Sequence, residues 1–180
     1  MPKERTGSMG KDSSIKKRVD DLVRRFGTRD PFHLAKALGV TVMFRSDFKD
    51  LKGMYKVILR NRYIFLNGNL DPSMQWVVCA HELGHDLLHR RFLSSSMFKE
   101  FVLYDMKQKP EFEANVFAAE LLLDDEVVVA CFREGYDVFQ VAGMLGVDVN
   151  LLLVKVHELF KRKGDFQPMG VPRGDFLGRI

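Results

Sequence analysis

Residues 76–92, WVVCAHELGHDLLHRRF, carry His81 and His85 four residues apart with Glu82 between them, and the run contains no proline and only one glycine, Gly84. Asp71 and Pro72 upstream form an N-cap and a first helical position, so the stretch predicts a helix from Pro72 to about Arg91. Histidines at i and i+4 project side by side, about one turn apart, so both imidazoles can meet one tetrahedral Zn²⁺. Glu82, rotated by about 100°, then lies beside the open position, where a carboxylate serves as general base toward water. Two imidazoles do not complete a metal site, and a third ligand has to come from elsewhere. His89 continues the spacing, but its Cα lies about 12 Å along the axis from that of His81, too far for one ion to reach all three rings of a straight helix. His89 is therefore expected as a structural residue or one that orients a ligand.

The other source is EFEANVFAAELLL, residues 111–123, a predicted helix apolar on almost every side and therefore buried. Its polar exceptions form two stripes, Glu113 with Glu120 and Glu111 with Asn115. Glu111 and Glu113 point about 200° apart, so only one of them can face the metal, and the residues alone leave that choice open. Gly84 on one helix and Ala114, Ala118 and Ala119 on the other permit the close approach that a short glutamate side chain needs.

Around this pair of helices the chain divides simply. Ile15, Val19, Leu22, Val23 and Phe26 mark a surface helix closed by Gly27, and Asp30, Pro31 and Gly39 bracket a second short one. VTVMF (40–44), GMYKVILR (53–60) and YIFLNG (63–68) read as the strands of a small antiparallel sheet, with a tight hairpin at Arg60-Asn61-Arg62. An edge at Tyr63, Ile64, Phe65 and Leu66 is the expected place for a substrate to add as a further strand. Beyond residue 125 three more helices are predicted, and DVFQVAGMLGVDVNLLLVKVHELF has the helix, LGV turn and helix of a helix-turn-helix. Its second helix begins Val149, Asn150, Leu151, Leu152, Leu153, whereas a helix that reads bases needs polar or basic side chains there. Packing or protein docking suits those leucines better. His33 and His157 fall in other predicted helices and are read as structural, and Tyr104 and Tyr136 are the candidates for steadying an oxyanion opposite the metal.

The net charge of +4 comes mainly from basic ends without interleaved aromatics, so nucleic acid is not expected as a direct ligand. Apolar runs are too short to cross a bilayer and the first residues have no apolar signal core, so a cytoplasmic protein without a membrane is expected. Cys79 and Cys131 sit in apolar helical sequence and read as buried free thiols.

HELGHDLLH, followed 28 residues beyond His85 by EFEANVFAAELLL, with LKGMYKVILRNRYIFLN upstream, resembles the ImmA/IrrE family of zincin-like metallo-endopeptidases over roughly residues 15–160. The resemblance implies an α+β fold: a zincin-like domain (15–125) with its small antiparallel sheet and HExxH helix, then a helix-turn-helix-like segment (126–163) packed on it. A flexible N-terminus (1–14) and a loose C-terminal tail (164–180) flank them. It implies His81, His85 and Glu113 as metal ligands and Glu82 as catalytic base; beside them His89, from its place on the helix, and Glu120 are the residues expected to support the ligands. The implied cofactor is Zn²⁺, with Mn²⁺ as the alternative ion. The implied activity is cleavage of one protein substrate, a helix-turn-helix repressor of a mobile element or stress response. The competing expectation is a DNA-binding or protein-binding regulator whose metal site is structural or vestigial. Where the family often has a Met-Pro pair after this helix, the chain runs Leu123-Asp124-Asp125.

Overall fold

A computed structural model of the chain describes residues 9–93 and 108–163. In order these form α1 (Met9–Phe26), α2 (Pro31–Ala37), β1 (Val40–Arg45), β2 (Gly53–Ile58), β3 (Asn61–Asn67), α3 (Pro72–Leu93), α4 (Gln108–Leu122), α5 (Asp125–Arg133), α6 (Val138–Leu145) and α7 (Val149–Lys163). The expected C-terminal tail and Tyr104 lie outside the described residues.

Helix α1 begins well before Ile15, where the sequence placed the end of a flexible segment. The apolar stripe marks only the part that is buried, at Ile15 and Val19, and nothing between Gly10 and Phe26 obliges the helix to stop there. Helix α2 follows its sequence signals closely: the Asp30 carboxylate accepts from the backbone N–H groups of Phe32 and His33, with Pro31 at the first position.

The sheet is mixed rather than antiparallel. Its order is β1-β3-β2, with β3 parallel to β1 and antiparallel to β2. Residues 46–52 carry the chain from the end of β1 across the end of β3 to the start of β2. Asn67, buried at that end, donates its side-chain amide to the carbonyls of Phe48 and Leu51 at 3.2 and 3.1 Å and so holds the crossing. The hairpin then returns β3 between the two earlier strands, and a strand inserted there has to run parallel to one of them. The hairpin turn falls at Leu59 and Arg60, slightly earlier than Arg60-Asn61-Arg62, and both have positive φ, 49° and 67°. That backbone matches the right-handed twist of the strands but is unfavourable for residues other than Gly, Asn or Asp.

Helix α3 starts as its sequence predicts, with Asp71 Oδ1 accepting from the Met74 N–H at 2.9 Å. It packs on β2 and β3 and, on another side, on α4. Gly84 sets that second contact: a Cβ there would stand 3.2 Å from Ala114 Cα and 3.2 Å from Phe117 Cβ. Helix α4 runs through the core, touching α1, α3 and α7, and Ala114, Val116, Phe117, Ala118, Ala119 and Leu121 are fully buried. Helices α6 and α7 meet at a bend of 111°, with Gly146 in the left-handed region ending α6. Leu151, Leu152 and Leu153 at the start of α7 are buried. Among the described residues no single helix is long and apolar enough to cross a membrane.

Candidate metal centre

The centre lies where α3 and α4 cross. His81 and His85 leave α3 one turn apart and turn their Nε2 atoms toward each other, 3.1 Å apart. From α4, Glu111 brings its Oε2 to 3.2 Å from His81 Nε2 and its Oε1 to 3.4 Å from His85 Nε2. A tetrahedral ion with ligand distances near 2.0–2.1 Å separates its donors by about 3.3–3.4 Å. The two ring nitrogens, 3.1 Å apart, stand at about that spacing, each beside its own oxygen of the Glu111 carboxylate, and His81, His85 and Glu111 form a group able to hold an ion.

Glu113 is not part of this face. Its Oε2 accepts from His89 Nε2 at 2.9 Å, one turn further along α3 than His85. Of the two glutamates, Glu111 meets His81 and His85 while Glu113 meets His89, so the side chains beside the histidine pair come from the Glu111 and Asn115 stripe. Asn115 Oδ1 takes the Nδ1–H of His81 at 2.8 Å, which leaves the Nε2 lone pair of His81 directed at the centre. The second stripe is itself divided, because Glu120 lies far along α4 from the centre. It is 1% exposed and meets Lys155 Nζ at 2.6 Å, beside Arg162 and Asp125, so it anchors α4 to α7 instead of supporting the ligands.

His89 lies beside His85, its Nδ1 3.2 Å from His85 Nδ1, and is not part of the group that converges with Glu111. Tyr63, Ile64, Phe65 and Leu66 belong to β3, the middle strand, whose two edges are taken by β1 and β2. They cannot receive a further strand. The open edge beside α3 is β2. Asn67 N donates to Lys52 O at 2.9 Å, and antiparallel pairing alternates from there. The backbone groups of Gly53, Tyr55 and Val57 therefore point away from β3, and that of Tyr55 meets the Glu82 carboxylate. Tyr136 packs against the core after α5.

One arrangement escaped the sequence. Asp86, 1% exposed, accepts from Tyr55 Oη at 2.8 Å and from Arg62 at 2.7 Å, clamping β2 and β3 to α3 one residue beyond His85. Its signal was present: Asp86 is one turn from Glu82, on the same helical stripe, and a carboxylate in a buried stripe must find donors. Gly53 allows the same closeness, since a Cβ there would meet Val78 Cγ1 at 2.4 Å.

Glu82 is 8% exposed, and burial pushes its carboxyl above the ordinary carboxylate range, although His81 and His85 pull the other way. The close contacts with His81 and then His85 hold Glu111 well below that range. For His81 burial favours the neutral ring, yet Glu111 and Glu82 outweigh it and raise its affinity for a proton. Burial lowers that of His89. Two ring nitrogens beside a carboxylate are the donor types a divalent cation takes.

The sequence profile of the IrrE N-terminal-like domain, the M78 peptidases, matches residues 35–157. An uncharacterised immunity region protein 2 of Bacillus phage phi105 is 37% identical over 141 residues, covering 78% of this chain and 88% of its own. The metallopeptidase ImmA of Bacillus subtilis strain 168 is 24% identical over 135 residues, covering 74% of this chain and 78% of its own. Among solved structures, a Mycobacterium tuberculosis transcriptional regulator superposes with a TM-score of 0.53 at 18% identity, over 81% of this chain. This chain spans 46% of that regulator, and the likeness is one of fold. With the profile covering most of the chain, the protein belongs to the ImmA/IrrE family of metallopeptidases.

Proposed function

We propose that this chain is a zinc-dependent endopeptidase that cuts a specific protein, a helix-turn-helix repressor of a mobile element or stress response. The observation that carries the reading is the convergence of His81 Nε2, His85 Nε2 and the Glu111 carboxylate, one oxygen beside each ring, with buried Glu82 on the next residue of the same helix. When bound, Zn²⁺ supplies Lewis-acid polarisation of water and of the scissile carbonyl. Mn²⁺ is the second ion that two imidazoles and a carboxylate accommodate.

The chain's own groups do the rest. Glu82 takes a proton from the attacking water and returns it to the leaving amine, and its raised proton affinity suits both halves of that task. Asn115 fixes the ring of His81. On β2 rather than β3, the backbone groups of Gly53 and Val57 on either side of Tyr55 are the ones able to pair with an extended substrate, and the Asp86 clamp holds that strand against the motif helix. The phage relative's place in an immunity region and the name of the metallopeptidase ImmA support a repressor as substrate.

A DNA-binding regulator is the competing reading, favoured by the 111° bend between α6 and α7. Burial of Leu151, Leu152 and Leu153 weighs against it, because a reading helix has to present that end to the groove. Zinc-reconstituted protein incubated with the repressor encoded beside its gene is expected to give one discrete pair of fragments and to hold close to one equivalent of zinc. Less than about a tenth of an equivalent would refute the three-ligand site.

A further inference from the structure

Glu113 sits two residues from a proposed ligand, meets His89 instead of His81 or His85, and is tied to that pair by an unbroken line of side chains. Its Oε2 lies 2.9 Å from His89 Nε2, and His89 Nδ1 lies 3.2 Å from His85 Nδ1. His85 Nε2 then faces His81 and Glu111. The side chains of His85, His89 and Glu113 are 11%, 7% and 17% exposed, so water competes little for these bonds.

We propose that Glu113 and His89 are positioning residues that set the tautomer of His85 for metal binding. A carboxylate can only accept, so the hydrogen between Glu113 and His89 belongs to His89 Nε2. In a neutral imidazole the other nitrogen is then bare, and His89 Nδ1 accepts from His85. The hydrogen in the 3.2 Å contact is thereby assigned to His85 Nδ1, which leaves the His85 Nε2 lone pair free to bind an ion. Without Glu113, His89 can carry its hydrogen on Nδ1 and donate it to His85 Nδ1. His85 must then hold its own hydrogen on Nε2, in the position a ligand bond requires. On α4 the two acids Glu111 and Glu113 thus divide the work, one facing the ion and the other acting through two rings. Asn115 performs the corresponding service for His81 directly. The inference rests on the His81, His85 and Glu111 ligand set proposed above.

The test is a double-mutant cycle read by competition for Zn²⁺ against a chromogenic chelator, with the full chain and no substrate. Glu113→Ala and His89→Phe are each expected to weaken zinc binding about 10- to 100-fold, the range for loss of a partner that orients a ligand. The double variant is expected to bind within about twofold of His89→Phe, since Glu113 has nothing to act on once the ring nitrogens are gone. Glu111→Ala, as loss of a ligand, is expected to cost more than any of these. Melting of the metal-free proteins is expected to change little, whereas packing roles alone would lower it and leave zinc affinity in place. His89→Gln replaces His89→Phe if the latter does not fold. Additive losses, or a wild-type zinc affinity in Glu113→Ala, would overturn the relay while leaving the ligand set intact. An unaltered affinity in Glu111→Ala would instead overturn the ligand set and the relay with it.

Discussion

Glu82 shows how much one residue's surroundings contribute to its chemistry. The same carboxylate on an exposed helix would be a weak base with its proton lost far below neutrality, whereas burial raises its proton affinity in spite of the two imidazoles beside it. Glu82→Gln keeps the shape and loses the basicity. It is expected to retain about one zinc by elemental analysis and the melting profile of the parent, while cleavage of the repressor, followed on a gel, falls by about 10²–10⁴ or more. Cys79 makes the opposite case of a group silenced by its site. Burial first, and then the charges of Asp30 and Glu82, push its thiol up to about 12. At pH 8 it is protonated and enclosed, and an alkylating reagent is expected to modify it in denaturant but not in the native protein, as mass spectrometry of the labelled chain would read.

Between elements, distances of closest approach decide what the site can be. Helices α3 and α4 meet at Gly84, where the atoms that a Cβ would press on are the Ala114 backbone and the buried Phe117, and neither has room to give. Gly84→Ala is expected to destabilise the protein by about 1–3 kcal/mol in urea unfolding. It should also weaken zinc binding, because displaced α4 carries Glu111 away from the histidines. The β2–β3 turn offers the reverse experiment. Leu59 and Arg60 occupy left-handed backbone, and Leu59 is 91% exposed with no packing to lose. Replacing the pair by Asn-Gly is expected to stabilise the fold by about 1 kcal/mol, seen as a melting point a few degrees higher.

At the scale of the whole molecule, the helices behind the site are joined to it through buried charge. Lys155, fully buried on α7, reaches Glu120 of α4 and Asp125 of α5 at 2.6 and 2.5 Å, and Arg162 closes the cluster. Removing one member strands the others, so Lys155→Met is expected to cost about 3–5 kcal/mol in denaturant unfolding. The cluster also gives stability a pH dependence. Burial alone would raise the pKa of Asp125, but Lys155 and Arg162 outweigh it and the folded value lies below the ordinary one. A depressed folded pKa contributes stability that is complete above the unfolded value, near 4, and is lost as pH falls through the folded one. Melting points measured from pH 7 downward are expected to drop below about pH 4, and Asp125→Asn is expected to be less stable at pH 7 with a shallower drop.

What the sequence determined by itself was everything whose cause is local. The turn-to-turn spacing of His81 and His85, the caps at Asp30 and Asp71, and the all-round apolar character of 111–123 follow from helical geometry and from neighbours a few residues away. Three matters had no local cause. Whether Glu111 or Glu113 meets the histidines depends on the rotation of α4 against α3, set by the fit of Gly84 against Ala114 and Phe117. Whether Tyr63–Leu66 is an edge depends on β3 entering between β1 and β2, which Asn67 secures through the loop before β2. The partner of Glu120 lies 35 residues further on in α7. Each is a contact between elements distant in sequence, where the period of one helix states which side chains share a face but only packing decides what that face meets.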